Sequence, residues 1–189
     1  MQALLADLVP HPRYGAAPQA SGLEYSEGQI RAGFWRHQRE HLFAESVLVA
    51  DASKQNYSVF PCEFYVDVLR TCRDCSRPFI FFAREQRYWY ETLRFSTDAD
   101  CVLCSPCRRD ARSVRRRLRR YSDLRHKQTK SPKDLMFLVD DGAYLVARGV
   151  LRNLSTLGQL KNEALKAIPD YRGTAALVQA LAHARAAGP

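Results

Sequence analysis

Four of the six cysteines in this 189-residue chain stand as two tight pairs, Cys72-x-x-Cys75 and Cys104-x-x-Cys107. A Cys-x-x-Cys turn points both sulfurs the same way, so one turn offers two thiolates to a metal and two turns complete a tetrahedron. The N-terminus, Met1 to Pro10, has no basic start and no long apolar stretch, so it does not read as a secretion signal. Without an export signal the thiols are expected to be reduced, and paired knuckles then read first as a zinc site and second as disulfides. The 28 residues between Cys75 and Cys104 must fold back, as strands or as a strand and a helix, to bring the pairs together. Cys62 and Cys101 stand alone. Cys101 also makes a second knuckle with Cys104, a register that would leave Cys107 spare.

Four cysteines would close the metal's coordination shell. A catalytic zinc keeps an open position, usually with histidine or carboxylate ligands, so one structural Zn²⁺ is expected. It would stabilise a unit too small to hold itself.

Residues around the pairs resemble the bacterial "probable zinc-ribbon" family. They are Cys72-Arg73-Asp74-Cys75, Phe79-Ile80-Phe81, Glu85-Gln86, Tyr88-Trp89-Tyr90-Glu91 and Cys104-Ser105-Pro106-Cys107-Arg108. The resemblance covers residues 70–109, about a fifth of the chain. It implies a zinc-ribbon with Cys72, Cys75, Cys104 and Cys107 as ligands, and a bacterial source. It favours the 104/107 register, because Arg108 follows the last ligand as in the family. The family carries glycine after the second cysteine, where this chain has Ser76. Members mostly lack an assigned activity, so the resemblance implies no function.

The net charge of +9 is local. Eleven basic residues and two acids fall between Arg108 and Lys130, so that segment carries the whole excess. Ala111, Val114, Leu118 and Tyr121 fall within about 80° of one another on a helical wheel, and Arg109, Arg112, Arg116 and Arg120 fall opposite. This predicts an amphipathic helix with a docking side and a cationic side, directed by the zinc unit at its start. Guanidinium groups bind phosphates bidentately, and neutralised phosphates release counterions. Nucleic acid, DNA or RNA, is therefore the expected partner. Its contacts would be mainly to phosphates, through Arg108, Arg109, Arg112, Arg115, Arg116, Arg117, Arg119 and Arg120. The rival is a protein-interaction subunit docking on a larger acidic or nucleic-acid-containing complex. Tyr88, Trp89 and Tyr90 could stack on bases, but a small zinc unit needs at least two of them for its core.

His37-Gln38-Arg39-Glu40-His41 matches the His-x-x-Glu-His pattern of one metalloprotease class. No third ligand has a recognisable context, and Arg36 and Arg39 would repel a dication, so the expectation is a protein that is not an enzyme. Asp140-Asp141 reads as the solvated side of a helix.

The expected fold is α+β, a small four-cysteine zinc-ribbon followed by an Arg-rich helix and an all-α C-terminal bundle, with a helical N-terminal part. The segments are an arm and helix over 1–60, the ribbon over 61–109, the basic helix over 110–130 and a helical region over 131–189. A short helical start and a loose arm precede a helix over Gly28 to Val49, with Ile30, Phe34, His37, His41 and Leu48 in one stripe. Strands are expected around Phe64–Leu69 and Phe79–Phe82, and a helix over Arg84–Leu93. Three more helices follow, the first capped by Ser131 with Pro132 at its first position, the others over about Thr156–Ala167 and Thr174–Ala187. No apolar run reaches the roughly 20 residues of a membrane helix, so a soluble, cytoplasmic protein with no membrane partner is expected.

Overall fold

A computed structural model describes residues 7–186. The fold is α+β, as expected, and divides into two compact units, Met1–Arg109 and Asp110–Pro189. The expected helical start falls largely on residues 1–6, outside the described residues.

The first unit is built on an antiparallel sheet of order β1-β2-β3: β1 His41–Val49, β2 Phe64–Thr71 and β3 Pro78–Phe81. Helix α1 (Glu27–Ala32) precedes it, opened by a capping box between Ser26 and Gln29. The helix predicted over Gly28–Val49 is thus corrected. It stops at Gly33, a short 3₁₀ segment covers Trp35–Arg39, and the rest is strand. Gly33 has a steric reason: a Cβ there would lie 2.5 Å from the Phe64 ring. Pairing with β2 then outweighs local helix propensity in β1, and a register irregularity between Phe43 and Leu48 lets Ser46 and Val47 be buried in succession. Helix α2 (Ala83–Arg87) runs on into a π-helical turn at Tyr88–Thr92.

Val47, Val66 and Val68 cover Ile30, while Phe34, Cys62, Tyr65 and Tyr90 form a neighbouring cluster. The arm before α1 is not loose. Leu8 packs with Ile80 and Phe82, Val9 donates its N–H to the Pro78 carbonyl at 2.8 Å, and Gln19 donates its own to Asp67 at 2.9 Å. Buried Asp67 also accepts from the Ala83 N–H at the start of α2, at 2.6 Å. One carboxylate therefore ties arm, sheet and helix together, which is how a buried charge is satisfied.

Helix α3 (Ser105–Arg125) contains the division between the units. The second unit continues with α4 (Pro132–Ala147), α5 (Leu154–Ala167) and α6 (Arg172–Ala186). Ser131 caps α4 in a capping box with Asp134, and Pro132 fills its first turn as predicted. Leu138, Val139 and Leu145 of α4 meet Leu157 and Ala164 of α5 and Leu177 and Leu181 of α6 in one apolar core. Among the described residues, no helix is long and apolar enough to cross a membrane.

Candidate functional site

The first knuckle closes the β2–β3 hairpin. Cys72 follows β2 directly, its N–H donates to the Arg77 carbonyl at 2.9 Å, and the Ser76 N–H donates to the Cys72 carbonyl at 2.9 Å. Ser76 takes a left-handed backbone, φ +58°, the conformation glycine adopts without cost. The second pair sits at a helix start rather than in a strand turn. Cys104 precedes α3 and Cys107 lies in its first turn, where N–H groups and the helix dipole favour negative charge.

Together the hairpin and the helix bring the sulfurs of Cys72, Cys75, Cys104 and Cys107 within 4.8 Å of one another. Zinc–sulfur bonds of about 2.3 Å in a tetrahedron put sulfurs about 3.8 Å apart. Cys75 and Cys104 are 3.8 Å apart. Burial by itself would raise the Cys72 thiol, but backbone N–H groups of Cys104, Cys75 and Asp74 outweigh it and hold the thiol down at about 6. Burial pushes Cys104 and Cys107 up, and the thiols of Cys72 and Cys75 add to the rise at both; at Cys104 the Cys107 backbone and side chain oppose it. Four thiols this close cannot all ionise unless a cation lies between them, and the four residues fit one structural zinc ion.

Cys101 is outside that set, so the alternative register is not the one formed. Its thiol is buried, pushed up to about 12 by that burial, and accepts from Arg108 Nη1 at 3.1 Å. Cys62 is likewise buried, pushed up to about 12, with its thiol on the Phe64 carbonyl. Of the aromatic run, Tyr90 is buried, and Trp89 packs against Phe81, Phe95 and the Arg108 guanidinium, while Tyr88 is exposed.

Arg108 belongs to this centre and not to an open cationic face. It pairs with Glu85 at 2.7 Å, and both side chains are 11% exposed. Sequence periodicity could not show this, because Glu85 lies on another element.

In the second unit the docking side of α3 is rotated from the predicted stripe. Tyr121 is buried and Val114 and Leu124 are partly buried, but Leu118 is exposed. Arg117 and Arg120 turn inward instead. Both reach Asp141 of α4, Arg117 at 2.8 Å and Arg120 in a fork at 2.6 and 2.7 Å. Their guanidinium carbons sit 4.4 Å from the ring centres of Tyr144 and Phe137. Asp141 is fully buried. The expected places of Arg120 on the cationic side, and of Asp141 on a solvated one, are both corrected. A buried carboxylate needs cations more than the helix needs Leu118 inside. Its neighbour Asp140 accepts from the Tyr171 hydroxyl at 2.7 Å. Arg112, Arg115, Arg116 and Arg119 remain exposed, and among the described residues none of them has an ion-pair partner. Arg109, in the first unit, is exposed too.

The His-x-x-Glu-His residues do not come together on a helix. Buried His37 holds its Nδ1 3.2 Å from the Ile30 carbonyl, Glu40 pairs with Arg70, and His41 begins β1 with its ring against Phe43. Among the described residues the four cysteines are the one metal-competent cluster.

Comparison with curated proteins and with solved structures finds no match. Residues 66–116, a span that holds both knuckles and the first half of α3, match the family described as "Probable treble clef domain", a zinc-binding unit that the ribbon resemblance met only coarsely.

Proposed function

We propose that this is a non-enzymatic, zinc-stabilised protein that binds nucleic acid through the phosphate backbone. The observation that carries the reading is the outward face of α3, where Arg112, Arg115, Arg116 and Arg119 stand exposed without an acidic partner among the described residues. Like charges at i,i+3 and i,i+4 spacing destabilise a helix slightly, so an uncompensated row is a cost that phosphate contact would turn into a gain. Guanidinium groups suit that contact geometrically. The metal is assigned a structural role because four thiolates leave no position for substrate or water. Non-catalytic function is further supported by His37, Glu40 and His41, each of which is engaged elsewhere.

The test is reversal of Arg112, Arg116 and Arg119 to Glu, with Arg117 and Arg120 left in place to hold the helix down. The variant should keep its helical signal and lose nucleic acid, read by the 260 nm absorbance that accompanies the purified protein. A protein partner that survives nuclease treatment and is lost from the same variant would favour the rival, an acidic protein surface.

A further inference from the structure

The four exposed arginines are arranged as two rows. Arg112 and Arg116 are four residues apart on α3, and so are Arg115 and Arg119. Within a row the step along the axis is about 6 Å, and the two rows stand roughly 60° apart around the helix. The four share one shallow face, within an arc of about 100°, and side chains that leave a cylinder in rows about 60° apart fan out toward solvent. The acid Asp123 lies at the C-terminal end of the same shallow face, next to Arg119 and Arg120. A carboxylate there repels phosphates, so the cationic footprint ends at Arg119.

None of the phenylalanine or tyrosine rings of this unit is offered to a base. Its four aromatic residues are Tyr121, Phe137, Tyr144 and Tyr171. Tyr121 is in the core. Phe137 lies under Arg120, and Tyr144 lies between Arg117 and Arg148 with its hydroxyl on Asp110. Tyr171 gives its hydroxyl to Asp140. Proteins that hold single strands combine a cationic track with aromatic side chains on which bases stack. This face has the charge and lacks the stacking platform. It is also held still, because Asp141 pins Arg117 and Arg120 on the side facing α4.

Resting on the reading of α3 as the contact face, we infer that its ligand is a double-stranded nucleic acid, gripped on both strands by the two arginine rows. A duplex carries a phosphate charge about every 1.7 Å of axis, against about 3.4 Å along one strand. A helix about 10–12 Å across fits a major groove about 12 Å wide, with a phosphate strand on either side. A single strand engages one row at a time and leaves the other unpaired.

The experiment is a salt titration of the full-length, zinc-loaded protein against a duplex and against one of its strands at equal length. A B-form DNA and an A-form RNA duplex are run in parallel to say which duplex is preferred. With four phosphates neutralised, the logarithm of duplex affinity should fall against the logarithm of salt with slope about −3.6, and single-strand affinity with slope about −1.4. At low salt the better duplex should be held at least about tenfold more tightly than the strand. Replacing either row, Arg112→Gln with Arg116→Gln or Arg115→Gln with Arg119→Gln, should flatten the duplex slope by about 1.8. A strand held as tightly as both duplexes overturns the duplex assignment and leaves nucleic-acid binding standing. No affinity for any of the three overturns the functional reading itself.

Discussion

The Arg120 guanidinium meets the Asp141 carboxylate in a two-bond fork, Nε to Oδ2 at 2.6 Å and Nη2 to Oδ1 at 2.7 Å. Arg117 adds a third bond to the same carboxylate. The pairing is unequal, because Asp141 is fully buried while the Arg117 and Arg120 side chains are 31% and 39% exposed. Removing both cations strands a buried charge, which costs about 3–5 kcal/mol. Removing the carboxylate leaves two guanidiniums that can turn to water. Arg117→Met with Arg120→Met should therefore destabilise the helical unit by about 3–5 kcal/mol. Asp141→Asn, which keeps an acceptor, should cost only about 1–2 kcal/mol. Urea unfolding followed by helical circular dichroism reads both, and an equal or larger loss for Asp141→Asn would contradict the asymmetry.

The metal centre separates four cysteines from two. Cys72→Ser or Cys107→Ser should remove zinc and the cooperative folding of the first unit together. Cys62→Ser and Cys101→Ser should each retain zinc near one per chain, since both thiols lie outside the cluster. Atomic emission on the purified variants checks this. Zinc lost from Cys101→Ser and kept in Cys107→Ser would mean that the ligand register is 101/104.

Ser76 pays for a left-handed turn that glycine would adopt freely. Placing a non-glycine residue there costs about 1–2 kcal/mol, part of which glycine's greater unfolded-state freedom offsets. Ser76→Gly should raise the stability of the zinc-loaded protein by about 0.5–1 kcal/mol. Chemical denaturation at saturating zinc measures it, and a loss of stability would show that the Ser76 side chain contributes something its backbone angle does not reveal.

Two buried groups in the first unit give opposite pH dependences. Burial lowers His37 to about 4 from an ordinary value of 6.5, so its neutral form is favoured in the folded state. Its contribution is complete above about pH 6.5 and is lost as pH falls toward 4. Burial raises Asp67 to about 6 from 3.8. Its contribution is complete below about pH 4 and is lost as pH rises through 6. Relative to wild type, His37→Phe should lose less stability on acidification between about pH 6.5 and 4. Asp67→Asn should lose less between about pH 4 and 6 on going upward. Differences in thermal midpoint between variant and wild type cancel the acid sensitivity of the zinc site that they share. Two variants that track wild type across the window would show that neither group titrates there.

What the sequence made legible follows from how local each signal is. The zinc ligands are two short spacings, and the cap of α4 is four consecutive residues, so both could be read directly. β1 could not. Its irregular pairing between Phe43 and Leu48 removes the period-two alternation, and Ile30, Phe34 and His37 mimic a helical stripe that in fact ends at Gly33. The face of α3 was misphased for a different reason. Leu118 follows the apolar pattern, but Asp141, 21 residues beyond Arg120, draws two arginines inward and turns the helix. A pairing between two helices leaves no trace in the period of either one. Arg108 and Glu85 repeat the lesson in the zinc-binding unit.

The central claim is that Arg112, Arg115, Arg116 and Arg119 bind phosphates while Arg117 and Arg120 hold the helix. The most direct measurement is the salt dependence of duplex affinity for wild type, for Arg→Gln at all four exposed positions, and for Arg117→Gln with Arg120→Gln. The exposed-face variant should fall from a slope of about −3.6 to near zero with its unfolding midpoint unchanged. The inward pair should lower the midpoint and, below it, leave the slope close to wild type. A slope that survives loss of all four exposed arginines would contradict the account.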